Sequence, residues 1–139
     1  MRVLISSVSS DSHTWNLVYL QLLLEERGHH AVNLGSCVPK ELLVEAALTE
    51  RPDLIVISSV NGHGHQQGGA CVRALRQFPQ LREVPVVIGG KLGTLGADNS
   101  RFVAGLLAEG FAGVFTGDDA IPEFLAYLER LAATTELVA

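Results

Sequence analysis

At 139 residues, 47% of them apolar and 18% charged, the chain carries enough apolar surface for one packed core and too few charges for a disordered polyelectrolyte. A formal net charge of -5 and a scatter of lysines and arginines with no basic run argue against a nucleic-acid or anionic-membrane surface. Cys37 and Cys71 are too few for a disulfide framework and read as free thiols. No apolar stretch has the length of a signal peptide or membrane span, so one cytoplasmic domain over residues 1–139 is expected.

Strand-like apolar runs alternate with helical patterns along the whole chain. Residues 3–6 read as a first strand, followed by a helical pattern over 14–27 that Gly28 closes as a C-terminal cap. His29 and His30 flank the turn into a second strand at 31–34 and are expected at the surface. A helix at 39–50 has Pro39 in its first turn and a predicted apolar face of Leu42, Leu43, Ala46 and Ala47. The third and fourth strands, 54–58 and 84–88, are apolar at consecutive positions, as a parallel sheet covered on both faces requires. Pro85 suits the start of its strand. Helices follow at 69–77 and at 100–109, the latter closed by Gly110. A short strand at 113–115 and a helix near 120–133, with Pro122 in its first turn, complete the pattern.

Five βα units with short connections specify an α/β fold: a doubly wound, five-stranded parallel sheet of flavodoxin-like, Rossmann-like type, with expected order 2-1-3-4-5. In that order the ligand-binding loops lie at the C-terminal ends of the first and third strands, residues 7–14 and 58–69. The loop 89–96 after the fourth strand lies beside them. All three are rich in Gly, Ser, Thr and His, which lets a large polar ligand approach the main chain.

Asp11-Ser12-His13, just past the first strand, is the most informative triplet. A carboxylate two residues from an imidazole can hold one ring nitrogen while the other faces a metal. Taken alone, a loop histidine hydrogen-bonded to Asp11 is the simpler account. Other doubly wound functions meet obstacles. The third strand ends in Ser58-Ser59, where a phosphoacceptor receiver needs an aspartate. No Gly-Lys-Ser/Thr opens a helix, and Gly62-His63-Gly64-His65 has the wrong spacing for a dinucleotide fingerprint. Hydroxyls in the run Ser6-Ser7-Val8-Ser9-Ser10 suit an FMN phosphate, but no aromatic pair for a flavin is evident. His63 and His65, with Cys71 nearby, lack the four paired ligands of a structural zinc site and read better as a polar glycine loop.

Together, Asp11-Ser12-His13, Ser58-Ser59-Val60 and Gly89-Gly90 occur in the order of the Asp-x-His-x-x-Gly, Ser-x-Leu, Gly-Gly signature. The chain thereby resembles the cobalamin-binding domains of base-off/His-on mutases and methyltransferases. Over nearly its whole length it is most similar to the small, cobalamin-binding subunits of glutamate (methylaspartate) mutases. Val32-Asn33-Leu34-Gly35, Pro39-Lys40-Glu41-Leu42 and the run from Val56 to Gly64 carry the closer likeness. The signature's glycine is Asn16 here and its leucine is Val60. Asn is the non-glycine residue that best tolerates left-handed backbone, so a turn at Asn16 is expected to survive.

The resemblance implies adenosylcobalamin as cofactor, with His13 replacing the dimethylbenzimidazole as lower axial ligand of cobalt. Asp11 would bond the other ring nitrogen, and Asp11→Asn is expected to cost less than loss of His13, since an amide still orients the ring. The displaced nucleotide tail would enter a slot between the ends of the first and third strands, kept open by small residues at Ser58 and Gly90, with the Ser58 hydroxyl on the tail base. Cofactor-binding residues would be Ser10, Asp11, Ser12, His13, Thr14, Ser58, Ser59, Val60, Gly89, Gly90, Lys91, Leu92, Gly93 and Thr94. The implied reaction interconverts L-glutamate and threo-3-methyl-L-aspartate by a radical mechanism. The substrate would be held in a separate large TIM-barrel subunit, in a heterotetramer of two small and two large chains. No catalytic residue is expected in this chain, nor activity without the partner, nor nucleic-acid or membrane contacts. A corrinoid carrier for methyl transfer and a flavodoxin-like FMN module are the alternatives. Such carriers usually have a helical cap ahead of the Asp-x-His loop, and a first strand beginning at residue 2 favours the mutase.

Overall fold

A computed structural model describes residues 1–61, 63–90 and 100–138. The elements in chain order are β1 (Arg2–Ser6), α1 (Trp15–Glu26), β2 (His30–Asn33), α2 (Lys40–Glu50), β3 (Leu54–Ser59) and α3 (Gly64–Arg76). After a 3-10 turn at Pro79–Leu81 come β4 (Val86–Gly90), α4 (Ser100–Glu109), β5 (Gly113–Phe115) and α5 (Ala120–Val138). The strands form one parallel sheet in the order β2-β1-β3-β4-β5, the expected doubly wound topology.

Side chains alternate across a strand, so the parity of each residue decides which layer it joins. Val3, Ile5, Leu54, Val56 and Val87 pack under Leu17, Leu20 and Leu24 of α1 and Phe124 and Leu128 of α5. Leu4, Ile55, Ile57, Val86 and Ile88 face the other way, against Leu43, Val44 and Ala47 of α2, Val72 and Leu75 of α3, and Leu106. The sheet is thereby sealed on both faces, which is why β3 is buried along its whole length.

Three local expectations change. The buried face of α2 is Leu43, Val44 and Ala47, while Leu42 is exposed. The helix lies against the sheet one position further round than its apolar residues alone imply. Pro39 sits ahead of α2 in extended backbone rather than in its first turn. Finally, α3 starts at Gly64 rather than near 69, because Gly64, Gly68 and Gly69 are buried packing residues and not a loop. A Cβ at Gly68 would stand 2.5 Å from Ile88 Cδ1, so this glycine lets the helix lie close on β4.

The pair Gly89-Gly90 ends β4 instead of opening a loop. Gly90 has φ +100, and a Cβ there would collide with the Ser59 carbonyl oxygen across the β3–β4 pairing. Gly117 has φ +85, and a Cβ there would meet nothing within 4 Å. Alanine at Gly117 should therefore cost only the left-handed backbone term of roughly 1–2 kcal/mol. Alanine at Gly90 should cost more, because the same strain is joined by a backbone clash. Urea unfolding of the two variants checks that order, and equal losses would contradict it.

Candidate functional site

The loop between β1 and α1 is built around one carboxylate. Asp11 is fully buried, and its oxygens collect three donors. Oδ1 accepts from the His13 backbone N–H at 3.0 Å and lies 2.7 Å from His13 Nδ1, while Oδ2 accepts from the Val60 N–H at 2.7 Å. The loop backbone is pinned as well: the Asp11 N–H donates to Val8 O and the Cys37 N–H to Asp11 O. Burial works against ionisation of Asp11. The Val60 and His13 N–H groups and the His13 ring outweigh it and hold the carboxyl below its ordinary value of 3.8.

At 2.7 Å from the ionised Asp11 carboxylate, Nδ1 of His13 is the donor, and in the neutral form of the ring that leaves the Nε2 lone pair free. The His13 side chain is 58% exposed, so that lone pair belongs to a ring reaching out of the loop on a rigid arm. In its neutral form the ring presents one imidazole nitrogen of fixed tautomer, the donor a metal centre with a vacant axial position takes. Among the described residues no group of three or more His, Cys, Asp or Glu could hold a metal ion by itself.

Around His13 lies an open depression lined by Ser12, His13, Thr14, Trp15, Asn16 and Val60. Beyond it, a cavity of about 210 Å³ is walled by Tyr19 and Leu20 of α1, the ends of β3 and β4, Phe115, and Ala120, Ile121 and Phe124 of α5. Its lining is almost wholly apolar, apart from Asn16 and Ser58. The cavity opens over β3, β4 and β5 beneath α1 and α5, beside the place expected for the slot. Tyr19, Phe115, Ile121 and Phe124 were not anticipated; for the last three the one sequence signal is that α5 follows directly on the end of β5.

The expected residues divide into several groups. Ser12, His13, Thr14 and Val60 meet at the depression, with Asp11 buried behind His13, and Ser58, Val60, Gly89 and Gly90 line the cavity. Ser10 instead braces two loops, accepting from Asn61 Nδ2 at 2.9 Å and donating to Gln67 Oε1 at 2.8 Å. Ser59 is buried with its hydroxyl towards Asn61, on the sheet face opposite Ser58. Lys91, Leu92, Gly93 and Thr94 lie outside the described residues.

Asn16 is not at a left-handed turn, since it stands in the first turn of α1 and positive φ occurs at only two described non-glycine residues, Cys37 and Arg51. Its Nδ2 donates to Ser58 Oγ at 2.7 Å, using the hydroxyl expected to face a ligand. The remaining histidines have local roles. His63 precedes α3, His65 stacks on Phe102 with centroids 4.0 Å apart, and His29 Nδ1 lies 3.0 Å from the Met1 amino group. Cys71 is buried in the core, and burial pushes its thiol up to about 11.

The residues present fit a corrinoid bound through an axial histidine: a tautomer-locked imidazole stands at the rim of a depression beside a deep apolar cavity. Comparison with known proteins agrees. A family model described as B12 binding domain matches residues 1–125. The glutamate mutase sigma subunit of Fusobacterium nucleatum is 29% identical over 93 residues, covering 67% of this chain and 68% of that one. The protein of the same name from Halobacterium salinarum is 28% identical over 143 residues, covering 97% and 94%. Among solved structures, a cobalamin-binding protein from Desulfitobacterium hafniense superposes with a TM-score of 0.75 at 18% identity. That match covers 94% of this chain and 58% of that one, so the present chain spans little more than half of its length. No described helix is long and apolar enough to cross a membrane.

The three donors on Asp11 add a folding cost to Asp11→Asn. Whichever way an amide is turned, its NH2 faces a backbone N–H, that of Val60 or that of His13. The variant should lose roughly 1–3 kcal/mol of folding stability at neutral pH, the cost of unsatisfied buried polar groups. Because the folded value is depressed, the carboxylate's contribution is complete above 3.8 and is lost as pH falls through the folded value. Denaturation across the acid range should show a flatter acid limb for the variant, and parallel pH curves would contradict the assignment.

Proposed function

As the chain belongs to the B12-binding domain family, we propose that it is the cobalamin-binding subunit of a two-component, adenosylcobalamin-dependent carbon-skeleton mutase. The reaction we assign is interconversion of L-glutamate and threo-3-methyl-L-aspartate, with substrate held by a large TIM-barrel partner. The observation that carries this reading is the Asp11–His13 pair, 2.7 Å apart, with the carboxylate buried and the ring half-exposed. His13 would bind cobalt through Nε2, while Asp11 raises the basicity of the ring through Nδ1 and fixes its direction. When bound, the cofactor supplies a cobalt–carbon bond that breaks homolytically, the hard chemistry of a skeleton rearrangement.

The chain's own share is binding and orientation. Asp11 sets the imidazole, Val60 locks the second loop to the first, and the apolar cavity offers a place for a bulky ligand group away from water. The names of the two sigma-subunit relatives support a separate catalytic partner. A surface observation supports it too. Trp15, Val18, Tyr19 and Leu22 of α1 are exposed at spacings of three and four, a continuous apolar stripe. Trp15 also lines the His13 depression, so the stripe starts at the rim of the proposed cofactor face, where a large subunit closing over the cofactor would rest.

His13→Gly tests the reading directly. It should weaken cobalamin binding by at least the roughly 10–100-fold that loss of an outer-shell partner costs a metal site. With 15N-histidine, the Co(II) EPR spectrum of the wild-type complex should show a histidine nitrogen that the variant lacks. Mixing with the large subunit should raise cobalamin retention and bring on turnover together. An unchanged histidine hyperfine pattern in His13→Gly would remove His13 as the ligand. Uptake of FMN in place of cobalamin would return the chain to a flavodoxin-like role, and cobalamin-dependent methyl transfer without mutase turnover would make it a carrier.

A further inference from the structure

Asn16 and Val60 are the two residues that border both the His13 depression and the apolar cavity. A ligand that occupies both compartments lies against both residues. Val60 is tied by its N–H to Asp11, whereas the side-chain amide of Asn16, in the first turn of α1, is held by one bond. Its Nδ2 reaches across from α1 to the Ser58 hydroxyl on β3, at 2.7 Å. The other end of the same amide, Oδ1, is buried and has no hydrogen-bond partner among the described residues. An amide satisfied at one end and orphaned at the other is held at a disadvantage, so moving it costs less than breaking a fully bonded one.

We propose that Asn16 is a selectivity gate between the two compartments: its bond to Ser58 bars the cavity against the nucleotide tail of a corrinoid until the amide is displaced. The inference rests on the cobalamin-binding reading above and adds to it a residue that chooses among corrinoids. A complete cobalamin, whose displaced tail must enter the cavity, has to break the Asn16–Ser58 bond and take over the Ser58 hydroxyl. A tail-less corrinoid bound at His13 alone leaves Asn16 where it is. The chain should therefore discriminate against tailed corrinoids more than a variant with no side chain at this position.

The test is spectrophotometric titration of the full chain with aquacobalamin and with cobinamide, which lacks the nucleotide tail. Asn16→Gly opens the gate, and Asn16→Ala does so while keeping the α1 backbone helical. Relative to cobinamide, both variants should gain about tenfold in aquacobalamin affinity over wild type, the equivalent of one net hydrogen bond. The ratio is the decisive readout, because general destabilisation of α1 would weaken both ligands in parallel. An unchanged or lower ratio in both variants, parallel shifts for the two corrinoids included, would overturn the gate. If wild type binds both corrinoids with a His13-dependent spectral change, the site reading stands whatever Asn16 does. If neither corrinoid binds, the reading and the gate fall together.

Discussion

The buried carboxylate of Asp11 is the constraint on which the site depends. A carboxylate taken out of water without partners is costly, and this one is tolerated because three N–H donors surround it. Those donors come from two loops that are 49 residues apart in sequence at their point of contact. Satisfying one charge therefore brings the ends of β1 and β3 into register and aims the His13 ring at the same time. The backbone bonds to Val8 and Cys37 extend the brace towards β2. Loop order and the direction of the His13 ring are consequences of the same electrostatic requirement.

The second organising fact is strand parity. Ser58 and Ser59 are neighbours in sequence but face opposite layers. Ser59 stays in the brace beside Asn61, and Ser58 meets Asn16 under α1. Gly89, in register with Ser58, and Gly90, in register with Ser59, then complete a strand end where no side chain fits. The cavity exists because β4 ends in two residues without side chains while α1 and α5 bridge above them. The Gly-Gly pair thus has two demands on it, close approach to β3 and room beneath the helices.

Where sequence reasoning went astray, the error came from treating glycine and polarity as signs of a loop. The run from Gly62 to Gly69 has low helix propensity, yet most of it is α3, held because buried glycines let the helix approach Ile88. Ser10 lies in a polar loop by sequence, and its bonds to Asn61 and Gln67 were not foreseen. Asn16 looks like a turn residue and is helical. In each case the deciding partner is remote in sequence, so no local pattern could reveal it.

The alternation of apolar runs and helical periods was enough to specify five βα units, a parallel sheet and the edge where ligands gather, because these follow from local periodicity and the handedness of crossovers. The Asp11–His13 pair was legible for the same reason: both partners lie within one short loop. What only the tertiary structure decided were the third donor on Asp11, the place of the cavity under α1 and α5, and the bond from Asn16 to Ser58 that divides it from the His13 face. These depend on distances between segments that the chain brings together only by folding. Hydrogen-bond satisfaction and packing in three dimensions, unlike periodicity, leave no mark on any single stretch of sequence.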